Sequence, residues 1–227
     1  MKELRFRGWV SGPCGATALI LLILFICISG IQAMEMAQVK WIVDGDTLVL
    51  ENGKTVRYIG INAPETGHSG KITEPFGSQA KQVHVNLLKN RKIYLRYGAE
   101  KTDHYGRLLA YVYTQNGEFA NRALLKLGAA YCLFRPPNIK HFALLLSAQR
   151  EAMQQKRGVW SNLVRDDRPL VGNKRSYRFH KPGCAYGSRT RRSNRIALEG
   201  LWEAFWQGYA PCKRCFPSGV FVQTVEK

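Results

Sequence analysis

The body of this chain is predicted to be an α+β domain, mainly β, and three observations predict it. Five apolar stretches of three to seven residues alternate with clusters of Gly, Asn and Asp. An Asn-Gly pair sits between the second and third of them, the signal of a tight hairpin. Only three segments carry a helical period. The strands are expected at Val39–Val43, Leu48–Leu50, Val56–Ile61, Ile93–Tyr97 and Leu108–Thr114. Asn52 and Gly53 supply the positive φ angles that the first hairpin turn needs. The helices are expected at Ser78–Leu88, with Val83 and Leu87 four residues apart, and at Phe119–Leu127, with Ala120, Ala123, Leu124 and Leu127 on one face. A longer one covers Ile139–Lys156 behind Phe142, Leu145, Leu146 and Met153. Periodicity leaves two architectures open for such a set, a small barrel and an α+β sandwich.

The flanks differ from this body. Lys2, Arg5 and Arg7 are followed by no charge until Glu35, and the run from Ala16 to Ser29 is almost wholly apolar. Residues 1–33 therefore read as a signal peptide or a membrane anchor, with an imperfect cleavage site at Ile31, Gln32 and Ala33. Either way the body is expected outside the cytoplasm: periplasmic, secreted or anchored. The main domain is expected over 38–162, a polar linker over 163–174, a small module over 175–218 and a tail over 219–227. From Val171 onward there are 11 Lys and Arg against three Glu. The whole chain of 227 residues carries a formal charge of +18. That excess points to a polyanion, although a solubilising surface or anionic lipid would use it too, so motifs must decide.

Three motifs bear on chemistry. Asp44 and Asp46 flank Gly45 at the end of the first strand, where two carboxylates can converge on a hard cation or simply solvate a turn. Arg57 lies in the third strand and Glu65 just beyond it. For Arg57 and Asn62 to serve one site the strand must bulge or end before Asn62, and Gly60 is the natural place. Pro64 forbids further regular pairing. The alternative is a surface ion pair between Arg57 and Glu65. The third motif is the polar turn from Thr102 to Arg107, which places Tyr105 and Arg107 at the start of the fifth strand. Together these supply a metal site, two guanidinium forks and a carboxylate base, the requirements of phosphodiester hydrolysis.

The blocks VDGDTLVL, VRYIGINAPE and TDHYGRLLAYVY resemble, in order and spacing, the signature blocks of the staphylococcal nucleases. The resemblance covers about Val39 to Trp160. It implies a five-stranded OB-fold barrel with three helices. It further implies a calcium ion ligated by Asp46, Asn62 and the Ala63 carbonyl with Asp44 in support, catalytic arginines at 57 and 107, and Glu65 as general base. Asn62 departs from the family pattern, which has Asp there; one negative charge is lost, so weaker calcium binding is expected. Tyr105 of the polar turn, and Tyr131 and Phe134 where the family shapes its nucleotide pocket, are expected to contact substrate. Stacking there would suit single-stranded DNA or RNA.

His180 with Cys184, and Cys212 with Cys215, form two close pairs of soft or borderline ligands, the pattern of a structural zinc site. A disulfide is the rival, and it would need Cys132 for the thiol left over. The region from Ser176 to Pro217 resembles the zinc domain of the bacterial methyl-phosphotriester repair protein Ada. His180 stands where that domain has its methyl-accepting cysteine, so methyl transfer is not expected. Arg191 and Arg192, between the ligand pairs, are expected to hold nucleic acid. The expected function is thus an exported calcium-dependent nuclease with a basic zinc module. The alternative is a non-catalytic nucleic-acid-binding protein of DNA uptake or sensing.

Overall fold

The computed structural model describes residues 34–67, 73–88, 91–161, 163 and 167–221. The expected leader, 1–33, lies outside them. Of the two architectures left open, the chain takes the barrel. Strands β1 (Glu35–Asp44), β2 (Thr47–Leu50), β3 (Thr55–Tyr58), β5 (Lys92–Thr102) and β6 (Leu108–Thr114) close on themselves in the order β1-β2-β3-β6-β5. A two-residue strand, β4 (Ile61–Asn62), pairs instead with β7 (Tyr131–Cys132) outside the barrel. Closure removes every free edge and turns the apolar face of each strand inward. Leu48, Val56, Ile93, Leu95, Ala110 and Val112 fill the interior. Helices α1 (Gly77–Leu87), α2 (Ala120–Lys126) and α3 (Phe142–Gln154) cap it, α2 through Leu124 and Leu125 and α3 through Leu145 and Ala148.

Two local features set up the site. The stretch expected as one strand over 56–61 is interrupted: β3 stops at Tyr58, Gly60 takes a φ of +79°, and β4 starts at Ile61. Only a residue without a Cβ takes that conformation readily. The buried Asn121 of α2 fixes the break, donating to the Ile59 carbonyl at 2.8 Å and accepting from the Val112 N–H at 2.9 Å. Next, β3 and β6 pair in parallel with Arg57 opposite Leu109. The register sets Arg107, the residue just before β6, alongside β3, which carries Arg57, although 50 residues separate the two in sequence.

The C-terminal region departs from expectation. Leu170–Asn173, assigned above to a linker over 163–174, is strand β8. It lies inside a four-stranded sheet ordered β10-β8-β9-β11, with β9 (Arg178–His180), β10 (Arg195–Leu198) and β11 (Ala210–Pro211). Short helices α4 (Ala185–Ser188) and α5 (Leu201–Trp206) join them. The physical reason is burial: Leu163, Leu170 and Gly172 face inward, and Gly172 lets Ile196 and Leu198 approach its backbone. Four residues are too few for alternation to stand out within polar surroundings. Nor is the module separate. Tyr131, Met153 and Trp160 of the barrel domain share one apolar cluster with Phe179, Phe205 and Tyr209, and with Phe221 from the segment read as a tail.

Candidate active site

The Asp44-Gly45-Asp46 turn is pressed against the barrel. A Cβ on Gly45 would lie 2.5 Å from that of Ala63 and 2.9 Å from that of Ala80, so the turn needs glycine for this approach. The Asp46 N–H donates to Asp44 Oδ1 at 2.9 Å, and Ala63 N–H donates to Asp46 Oδ2 at 2.6 Å. Asp46 is buried and ion-paired with Arg57 at 3.0 Å. The same guanidinium donates to Asn62 Oδ1 at 3.0 Å and to the carbonyls of Tyr58 and Ile61 at 2.7 and 2.9 Å. Arg57 is therefore held on several sides, and it lines a cavity of about 500 Å³.

Asn62, Glu65, Tyr105 and Arg107 line that cavity too. Four side chains expected to carry hydrolysis thus come together: Arg57, Glu65 and Arg107 on the cavity, with Asp46 in contact with Arg57. Asp103 positions Arg107, accepting from its Nε at 2.8 Å and from its NH2 group at 2.7 Å. Partial burial works to raise the Asp103 pKa, but the hydrogen bonds from Arg107 and the turn outweigh it and hold it below the usual carboxylate value. Tyr105 is 72% exposed with the Arg107 guanidinium 5.4 Å from its ring centre, a surface on which a base can stack.

The residues expected to hold calcium are hard oxygen donors in contact with one another. Asp46 and Asn62 Oδ1 both touch Arg57, and Asn62 Nδ2 donates to the Ala63 carbonyl at 3.1 Å. Asp44 stands one hydrogen bond behind, and burial followed by repulsion from Asp46 raises its pKa to about 7. This donor set is all oxygen, the kind that a hard cation takes.

Two expected substrate contacts are corrected. Tyr131 is buried against Phe205 and Phe221, and its hydroxyl accepts from Asn62 Nδ2 at 2.9 Å. Phe134 packs on Phe142 and Tyr177. Neither ring lines the cavity, because the second apolar cluster and the aromatic contacts beside it have taken them. Arg191 and Arg192 are exposed in a short 3-10 turn (Arg192–Asn194) and its approach, and they do not line the cavity either.

Three cations went unforeseen. Arg135, Arg178 and Lys213 all line the cavity, and Lys213 Nζ lies 2.9 Å from Glu65 Oε1. Arg178 and Lys213 belong to the C-terminal module. A contact spanning 148 positions leaves no local mark in sequence. Glu74, buried beside Glu65, was also missed; burial raises its pKa, while Lys213 works the other way.

The four residues expected to hold zinc come together. The ligand atoms of His180, Cys184, Cys212 and Cys215 all lie within 4.8 Å of one another, with both Cys184 Sγ and Cys215 Sγ near His180 Nδ1, at 3.5 and 3.9 Å. A tetrahedral zinc site with Zn–S bonds of about 2.3 Å needs ligand separations of about 3.8 Å, so the cluster fits. Burial, with Arg178 adding to it, lowers the His180 pKa and favours the neutral imidazole that a metal requires. Cys132, the partner a disulfide would need, is a free thiol buried in the barrel core.

Two guanidinium groups that can close on a phosphate, beside a carboxylate at the same wall of a small closed barrel, define the class: a phosphodiester hydrolase acting on nucleic acid. Known proteins narrow it. The family model described as staphylococcal nuclease homologue matches residues 55–162. The thermonuclease of Staphylococcus intermedius is 37% identical over 129 residues, which cover 56% of this chain and 76% of that protein. The thermonuclease of Staphylococcus hyicus is 36% identical over 124 residues, covering 53% and 73%. Endonuclease YncB of Bacillus subtilis (strain 168) is 36% identical over 124 residues, covering 52% and 58%. The chain belongs to the staphylococcal nuclease family, and it is a nuclease.

Proposed function

We propose that this nuclease is exported, requires calcium, and cleaves single-stranded DNA or RNA to leave 3′-phosphates, with zinc holding its C-terminal module in place. The observation that carries the catalytic part is the convergence of Arg57, Glu65 and Arg107 on one cavity, with Asp46 in contact with Arg57. Arg57 and Arg107 bind the non-bridging oxygens and stabilise the charge that gathers on them. Glu65 orients a water and takes its proton on the carboxylate as the oxygen attacks phosphorus in line; the P–O5′ bond opposite breaks, the 5′-oxygen leaves and takes a proton from solvent, and the 3′-phosphate remains. Asp46, Asn62 and the Ala63 carbonyl would hold calcium, which when bound adds positive charge beside the phosphate. His180, Cys184, Cys212 and Cys215 would hold zinc as a structural ion. Export rests on the basic and then apolar sequence of residues 1–33.

Incubating the protein with labelled single-stranded DNA, with calcium or with chelator, tests the reading. Wild type should cleave with calcium alone, and Glu65→Gln should lose about 10²-fold or more in rate. Cleavage that persists in chelator would remove calcium from the mechanism, and full activity in Glu65→Gln would remove the base.

A further inference from the structure

The catalytic cavity does not end at the barrel. A groove of about 360 Å³ adjoins it along the C-terminal module, and Arg178 and Lys213 line both. Arg178 is largely buried and donates to the Pro211 carbonyl at 3.1 Å; among the described residues no carboxylate pairs with it. A guanidinium drawn largely out of water with no carboxylate paired to it is a natural seat for an anion. Lys213 pairs with Glu65 at the shared rim, with its own side chain still 62% exposed. It sits on the tight turn between Cys212 and Cys215, where the Cys215 N–H donates to the Cys212 carbonyl at 3.0 Å. Further along, the groove is lined by Tyr186, 50% exposed, with the guanidinium groups of Arg189 and Arg214 at 5.9 and 5.6 Å from its ring centre. An exposed ring flanked by cations, next to two cations facing a groove, is the combination that holds a single strand by stacking and charge.

We propose that the C-terminal module extends the active site with a subsite for a neighbouring nucleotide, in which Arg178 and Lys213 bind the phosphate next to the scissile one and Tyr186 stacks on a base. The inference rests on the nuclease reading of the cavity. When the strand is seated, Lys213 exchanges the Glu65 carboxylate for the phosphate. The two metal-ligand cysteines that bracket Lys213 fix where the cation stands. Substrate length is then sensed by the module, and a dinucleotide, too short to reach Tyr186, gains nothing from it.

The test compares kcat/KM on a long single-stranded oligonucleotide with that on a dinucleotide, for wild type, Lys213→Ala, Tyr186→Ala and Tyr186→Phe. Lys54→Ala, a charge loss of the same size on the β2–β3 turn, serves as control. The ratio of long to short substrate should fall about tenfold in Lys213→Ala and Tyr186→Ala and be retained in Tyr186→Phe, which keeps the ring. Fluorescence anisotropy of the labelled oligonucleotide without added calcium gives a second readout. The slope of log affinity against log salt should shrink by about 0.7 in Lys213→Ala and stay unchanged in Tyr186→Ala. An unchanged ratio in both alanine variants, with an unchanged slope in Lys213→Ala, would overturn the subsite while leaving the nuclease intact. If wild type cleaved neither substrate, the catalytic reading would fail instead, and the anisotropy series would still decide the subsite.

Discussion

The guanidinium of Arg57 makes contacts that a lysine cannot reproduce. It reaches Asp46, Asn62 and two carbonyls while still lining the cavity, and an ammonium offers one compact charge in place of that planar fork. Arg57→Lys is expected to lower kcat by about 10²–10³, read from initial rates at saturating DNA, with the fold verified by its thermal midpoint. Asn62 tests the other side of the same contact. Asn62→Asp adds a negative charge among the oxygen donors and gives up the amide's hydrogen bonds to Tyr131 and the Ala63 carbonyl. The calcium concentration for half-maximal activity should fall by roughly tenfold, since affinity follows ligand charge. An unchanged midpoint would mean that Asn62 does not touch the ion. The departure at Asn62 was legible in the sequence because it breaks a familiar motif. Its partner was not: Tyr131 lies 69 positions away, paired with Asn62 across β4 and β7, and its aromatic ring suggested stacking when it serves as a buried post.

Among the elements, α1 carries a group that no apolar spacing reveals. Val83 and Leu87 mark the helix in sequence, yet between them His84 is fully buried against the site's foundations. Its Nδ1–H donates to the Asp44 carbonyl at 2.8 Å, and its Nε2 accepts from the Tyr58 hydroxyl at 2.9 Å, a geometry that suits the neutral ring. Burial lowers the His84 pKa to about 4, and it raises that of Asp44 to about 7. The two work against each other. Between pH 4 and about 6.5 the unfolded chain holds an extra proton on His84, so stability from this group is full above 6.5 and is lost as pH falls through 4. Over nearly the same window the folded chain holds an extra proton on Asp44, so that contribution is full below 3.8 and is lost as pH rises through 7. Replacing either one should unmask the other. In calcium-free buffer, His84→Gln should grow less stable relative to wild type as pH rises from 4 to 6.5, by up to about 1.4 kcal/mol per pH unit. Asp44→Asn should grow less stable relative to wild type as pH falls across that window. Urea unfolding at several pH values reads both, and parallel curves for all three proteins would refute the opposition. By contrast, the break after β3 was legible at Gly60, although the strand was expected to run on to Ile61 and stops at Tyr58.

For the molecule as a whole, the barrel and the C-terminal module were legible as two parts, but their union was not. The three motifs announced the barrel, and the spacing of His180, Cys184, Cys212 and Cys215 announced a metal cluster. Nothing local says that Trp160 packs on Phe205 and Phe221, or that Arg150 donates to the Trp206 carbonyl and covers its ring. Those contacts make the module part of the folded nuclease. Trp160 and Met153 are buried almost completely, and removing residues 163–227 would return both to water together with Tyr131. The truncated chain would lose several kcal/mol of apolar burial, and its midpoint should drop on the order of 10 °C or more. It would also leave Gln149 without the Phe205 carbonyl to which its amide donates. Zinc bound at that cluster would act on the same equilibrium, because an ion bound only by the folded cluster stabilises everything coupled to it. Cys215→Ser, or removal of zinc by a chelator, should therefore lower one shared unfolding transition followed both by Trp fluorescence and by loss of nuclease activity. Two separate transitions, with the barrel's midpoint unmoved by zinc, would show that the shared apolar cluster does not couple the parts.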